Sequence, residues 1–195
     1  MTSSDQTRLP SSALVELPDL VGTNLRGDHD GRGLRLGFAC GLFNGGISWR
    51  LLQGALEGSA ECGVDPRDVT AAWAPGAFEL PMVARSFALA GTVDAVVCLG
   101  AVIRGETGHY DLVAGECATG IQRVQLDTGV PVVFGVLTTE TLDQALARSE
   151  PDRDNKGREA AVAAVEMVRL LRSSPLRPAP GPEAGMARRI TSTMI

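Results

Sequence analysis

Residues 96–113, VVCLGAVIRGETGHYDLV, constrain the fold more than any other stretch of the chain. The segment grows out of an unbroken apolar run, Ala95 to Leu99, which is how a strand buried on both faces of a parallel sheet reads. Within a few residues the character changes. Gly100 and Gly105 loosen the backbone, and Arg104, Glu106, Thr107, His109, Tyr110 and Asp111 crowd into one short loop. Ligands of open α/β sheets bind in the crevice beyond the carboxyl ends of the strands, so a polar cluster directly after a buried strand is a candidate site.

The rest of the chain repeats this alternation. Residues 34–40 read as a first strand, and helical spacing follows over 47–62, with Gly63 where a helix would stop. The turn at 65–68 leads to a second strand at 69–73, then a strand-to-helix turn at 74–81 and a helix reaching Ala90. A third strand is expected at 94–101, a helix at 113–126, a fourth strand at 131–137, a short helix at 142–148 and a long amphipathic helix at 157–171. This order predicts a right-handed, doubly wound, three-layer αβα sandwich on a four-stranded parallel sheet, with residues 34–172 as the folded domain. Residues 1–33 are expected to form an arm and an acidic loop, partly disordered, with 19–23 as a short edge strand. The Pro-, Gly- and Ala-rich residues 173–195 are expected to be a disordered tail.

Composition narrows the classes. With 195 residues, 44% of them hydrophobic, the chain has material for one real core. A net charge of −5 argues against a nucleic-acid binder, which needs a basic stripe to neutralise phosphates. No run approaches membrane-spanning length and the first residues do not resemble a signal peptide, which implies no membrane partner and a cytoplasmic location. Cys40, Cys62, Cys98 and Cys117 form no CxxC pair and read as reduced, buried thiols. Asp28, His29 and Asp30 on the acidic loop suit either a cation or plain solvation, and with two histidines in the chain no metal site is expected. The lack of GxxxxGK[ST] and GxSxG patterns argues against a nucleotide triphosphate and a serine-hydrolase elbow.

Three post-strand loops converge at one end of such a sheet: FNGG at 43–46, PGAFE at 75–79 and IRGETGH at 103–109, joined by residues 134–139. His109 is the best general acid or base, because unperturbed imidazole titrates nearest neutrality; the alternative is a loop histidine bonded to backbone. Glu106, Thr107 and the amides opening the next helix offer donors to an anion. Arg148 and Lys156 flank the break between the last two helices, either as surface charges or as cations held near a pocket. Glu79 either binds a polyol or serves as an acidic helix-start residue. Phe43 and Phe134 either stack on a planar heterocycle or plug the core.

Taken together, these motifs resemble the 6,7-dimethyl-8-ribityllumazine synthase family. The matching pieces are FN at 43–44, PGAFELP at 75–81, LGAVIRGETGHYDLV at 99–113, GVPVVFGVLTTET at 129–141, ALAR ending at Arg148 and NKG at 155–157. The resemblance implies a flavodoxin-like sandwich and the penultimate step of riboflavin biosynthesis, run without cofactor or metal. It implies that Phe43 stacks on the pyrimidine of 5-amino-6-(D-ribitylamino)uracil, while Ala77, Phe78 and Glu79 hold its ring and ribityl chain and Ala101, Val102 and Ile103 line the pocket. Glu106 and Thr107 would meet the phosphate of 3,4-dihydroxy-2-butanone 4-phosphate, Arg148 would neutralise it, His109 would shuttle protons and Lys156 would flank the site. It also implies homopentamers, free or built into an icosahedral shell, with Phe134, Arg148 and Lys156 supplied by the adjacent chain, and a functional link to riboflavin synthase.

Two positions depart from the family pattern. Gly108 stands before the histidine where a stiffer residue is common, and Pro151 alters the hinge after Arg148. The unaltered spacing from Arg148 to Lys156 leans toward a shell. These departures and the long tails leave a second expectation, a non-catalytic relative that carries a flavin or lumazine or builds a shell.

Overall fold

The computed structural model describes residues 21–173 and residue 176; the arm expected before residue 20 and most of the expected tail lie outside the described residues. Four strands form one sheet: β1 (Leu36–Gly41), β2 (Val69–Ala74), β3 (Ala95–Ile103) and β4 (Val132–Thr139). All pair in parallel, in the spatial order β2-β1-β3-β4. Among the described residues, five α-helices connect and cover them: α1 (Gly45–Glu61), α2 (Leu80–Ala90), α3 (His109–Thr128), α4 (Leu142–Arg148) and α5 (Lys156–Arg172). The fold is therefore the α/β sandwich that the strand and helix periodicities predict.

Side chains alternate across the central strands, and each face meets its own helix layer. Leu36, Phe38 and Cys40 of β1 with Val97 and Leu99 of β3 pack against Leu51 and Ala55 of α1 and Ala161, Ala164 and Val165 of α5. Ala39, Val96, Cys98 and Val136 face the other way, onto Leu80 and Ala84 of α2 and Cys117 and Ile121 of α3. β1 is buried along its whole length, and β3 along all but its last residue, as their continuous apolar runs require. β2 lies at an edge, and Trp73 is accordingly 40% exposed.

The layer of α1 and α5 depends on absent side chains. A Cβ on Gly157 would collide with the carbonyl of Leu51, and one on Gly58 would stand 2.9 Å from the carbonyl of Arg158. The two helices can approach only because glycine occupies these points. Asn155, 1% exposed, seals the same contact. Its Oδ1 caps α5 by accepting from the amides of Gly157 (2.9 Å) and Arg158 (3.2 Å), and its Nδ2 donates to the carbonyls of Ser149 (3.0 Å), Glu150 (2.9 Å) and Arg50 (3.3 Å).

Four local expectations need correction. α3 starts at His109 rather than at residue 113, so the polar loop is shorter than its composition suggests. β4 runs to Thr139, two residues past the expected end at 137, and Phe134 lies inside the strand, within its expected span. α1 begins two residues early, at Gly45, because Asn44 takes a left-handed conformation (φ 57°) that turns the chain into the helix at once. No strand occupies residues 21–23, the described part of the expected edge strand; Val21 is 43% exposed and nothing lies beside Gly22.

The acidic loop is docked. Arg169 of α5 donates from Nη2 to the carbonyl of Arg32 (3.0 Å) and from Nε to that of Asp30, while Arg26 reaches Glu166 at 3.5 Å. The Asp30 carboxylate is taken up by Arg32, whose Nε and Nη2 both lie 2.8 Å away, and that pairing holds its pKa well below the usual carboxylate range. All four cysteines are buried free thiols. Burial pushes Cys40 up to about 12 and Cys117 to about 11, which keeps both as thiols at neutral pH.

Candidate active site at the carboxyl ends of the strands

Strand order reverses at β1, whose neighbours β2 and β3 lead away in opposite directions, and this opens a crevice at the carboxyl ends. A cavity of about 680 Å³ lies there, within the size range of small-molecule sites. Four segments build it.

The first follows β1. The amides of Leu42 and Phe43 donate to the carbonyls of Ala74 (2.8 Å) and Pro75 (3.0 Å), carrying the β1-β2 pairing past the strand ends. Asn44 then donates from Nδ2 to the carbonyl of Ala101 (3.0 Å). These bonds hold Phe43 at the mouth, where it is 73% exposed. That exposure excludes the core-plug alternative for Phe43.

The second segment is the turn after β2. Ala77–Glu79 forms a single 3-10 turn in which Ala77 is buried and Phe78 is 56% exposed. Bare Gly76 sits between two candidate side chains: a Cβ there would lie 3.4 Å from Glu79 Oε2 and 3.7 Å from Phe43 Cβ. The third is the end of β3, where Ala101 and Val102 are buried and Ile103 is half-buried. The fourth runs from Gly105 into α3. Thr107 Oγ1 accepts from the amide of His109 at 3.4 Å, and the helix that starts there aligns His109, Leu112 and Val113 on one face toward the cavity.

Of the residues singled out from sequence, Phe43, Ala77, Phe78, Glu79, Ala101, Val102, Ile103, Thr107 and His109 line this one cavity. Glu106 is exposed in the loop but does not line it. Phe134, Arg148 and Lys156 also lie off its walls. Phe134 pairs in register with Cys98, three positions before the level of Ala101, which sets it back by roughly 10 Å along the strand. Arg148 Nη1 donates to the carbonyl of Gln144 (3.1 Å), and Lys156 Nζ pairs with Glu159 (2.7 Å).

The sequence reading gives Asn44, Pro75, Gly76 and Tyr110 no individual role, and it passes over Leu112 and Val113; all six line the cavity. Starting the helix at His109 would have revealed Leu112 and Val113 by their spacing. The walls are mostly apolar, with Asn44, Glu79, Thr107 and His109 as polar points and no lysine or arginine among the lining residues. An anion here would therefore meet loop and helix-start amides and side-chain donors such as the Thr107 hydroxyl, with no lysine or arginine from the lining residues.

A doubly wound parallel sheet with an apolar, few-handled cavity at its reversal point defines a small-molecule-binding α/β protein of the flavodoxin-like type. The family model described as 6,7-dimethyl-8-ribityllumazine synthase matches residues 33–172. The chain belongs to the 6,7-dimethyl-8-ribityllumazine synthase family. Among the described residues no helix is long and apolar enough to cross a membrane.

Proposed function

We propose that the protein condenses 5-amino-6-(D-ribitylamino)uracil with 3,4-dihydroxy-2-butanone 4-phosphate to 6,7-dimethyl-8-ribityllumazine. The observation that carries this reading is the meeting of residues 43–44, 75–79, 101–103, 105, 107, 109–110 and 112–113 in one cavity within a chain of this family.

In this reading Phe43 stacks on the pyrimidine, and Ala77, Phe78 and Glu79 hold the ring and the ribityl chain against Ala101, Val102 and Ile103. The backbone amides of Glu106 and Thr107 and the Thr107 hydroxyl meet the phosphate. The primary amine of the uracil attacks the butanone carbonyl and one water leaves as the imine forms. Loss of the C3 proton of the butanone then expels inorganic phosphate from C4 and leaves an enol, which tautomerises to a methyl ketone; the ribitylamino nitrogen closes the ring on that new carbonyl, and a second water departs. His109 moves the protons these steps require, and apolar walls keep bulk water from reversing the imine. Holding two reactants face to face supplies much of the rate.

The anion's cation and a second aromatic ring come from a neighbouring copy, through Arg148, Lys156 and Phe134. This makes a pentamer, free or within a shell, the working form. Four free thiols and the nature of the substrates suit the cytoplasm, where the product would pass to riboflavin synthase. Mixing the purified protein with both substrates should give the fluorescence of a lumazine far faster than buffer alone; equal rates with and without protein would overturn the assignment.

A further inference from the structure

Arg104 is the cation closest in sequence to the cavity-lining loop, and its guanidinium is already committed. Nη2 and Nη1 donate to the two carboxylate oxygens of Asp111 (3.1 and 3.4 Å), Nε lies 2.7 Å from Glu140 Oε2, and Cζ stands 4.0 Å from the centroid of the Tyr110 ring. Its backbone amide donates to the carbonyl of Thr139 (2.9 Å). One residue thus joins the first turn of α3, which brings His109 and Tyr110 to the cavity, to the end of β4.

The bonds continue from there. The amide of Glu140 donates to Gln144 Oε1 (3.0 Å), and the carbonyl of Gln144 accepts from Arg148 (3.1 Å). A lone exposed ion pair contributes little, but a planar fork that grips one carboxylate at two points, meets a second and stacks on a ring fixes orientation. A lysine ammonium, a point charge on a flexible stem, cannot reproduce that set.

We propose that Arg104 is a positioning residue for the reaction: it touches neither substrate, and it fixes residues 104–109 and the first turn of α3 against the corner between β4 and α4, so that Thr107 and His109 face the cavity. This rests on the synthase reading above.

The test compares the wild type with Arg104→Ala, Arg104→Lys and Asp111→Ala, using steady-state kinetics in both substrates and amide hydrogen exchange over residues 104–113. All three variants should lose kcat by about 10- to 100-fold with little change in either KM, and their 104–113 amides should exchange faster. A rise in KM confined to the butanone phosphate in the Arg104 variants, with Asp111→Ala at wild-type rate, would make Arg104 a phosphate ligand and overturn the proposal. Unchanged exchange in Arg104→Ala would also overturn it. That readout stands even if the wild type forms no lumazine, a result that would remove the synthase reading on its own.

Discussion

The side-chain amide of Asn44 reaches across 3.0 Å to the carbonyl of Ala101, tying the turn after β1 to the end of β3 where the strand order reverses. The same residue takes a left-handed backbone conformation, φ 57°, which asparagine accepts more readily than most side chains. Two demands, a conformation and a donor, fall on one position.

Asn44 therefore separates those demands experimentally. Asn44→Gly keeps the backbone at ease and loses only the hydrogen bond, a cost of about 1 kcal/mol. Asn44→Ala loses the bond and adds left-handed strain, for a total of about 2 kcal/mol. Urea denaturation should rank wild type above Asn44→Gly above Asn44→Ala, and the reverse order of the two variants would refute the account.

Asn155 should tolerate no substitute, including the one a helix cap normally accepts. Aspartate is as good an N-cap as asparagine in most helices. Here it would keep the acceptor for the amides of Gly157 and Arg158 but present a carboxylate to the carbonyls of Arg50, Ser149 and Glu150 in a site 1% exposed. Asn155→Asp and Asn155→Ala are both expected to destabilise by about 3 kcal/mol. A well-tolerated aspartate, read by thermal unfolding, would show that the donated bonds contribute little.

Asp94 sets an acid limit. Burial alone would raise its pKa, but the side chain and amide of Arg35 and the guanidinium of Arg172 outweigh that and leave it lowered. With the folded pKa below the unfolded one, its contribution is full above the ordinary carboxylate pKa and is lost as pH falls through the folded value. Asp94→Asn should cost about 2 kcal/mol at pH 7 and progressively less below about pH 4. A penalty independent of pH would mean that shape, not charge, holds Asp94 in place.

The proposed sharing of each pocket between two copies has a sharp test in mixed variants. His109→Ala should slow turnover while substrates still bind, and Arg148→Ala should abolish phosphate release. Arg148→Ala alone should be inactive and His109→Ala alone slow, but refolding them together should restore about a quarter of wild-type activity, since that fraction of junctions pairs an intact His109 with an intact Arg148. If each cavity were completed within one chain, the mixture would gain nothing.

Most of the fold was readable because each central strand is a continuous apolar run with a polar loop at its end, as β3 and residues 104–108 illustrate. The ends of elements were harder. Leu112 and Val113 were missed because glycine and charge around His109 mimic a loop, while tertiary packing lets the helix begin there. Asn155 looked like one letter of a motif; its five bonds depend on Arg50 and Ser149, which no local pattern brings beside it. The distance of Phe134, Arg148 and Lys156 from the cavity was not legible from local pattern, since spacing along the chain does not say which side chains the fold brings together.

Because Phe134, Arg148 and Lys156 stand apart from the cavity their own chain forms, the synthase reading makes each chain a head and a tail. Two chains joined head to tail complete one chamber and leave an orphan half at each free end, and so does any open row. Only a closed ring leaves no orphan. Folding then yields competent parts, and it is the last junction to close that brings every chamber in the ring into use.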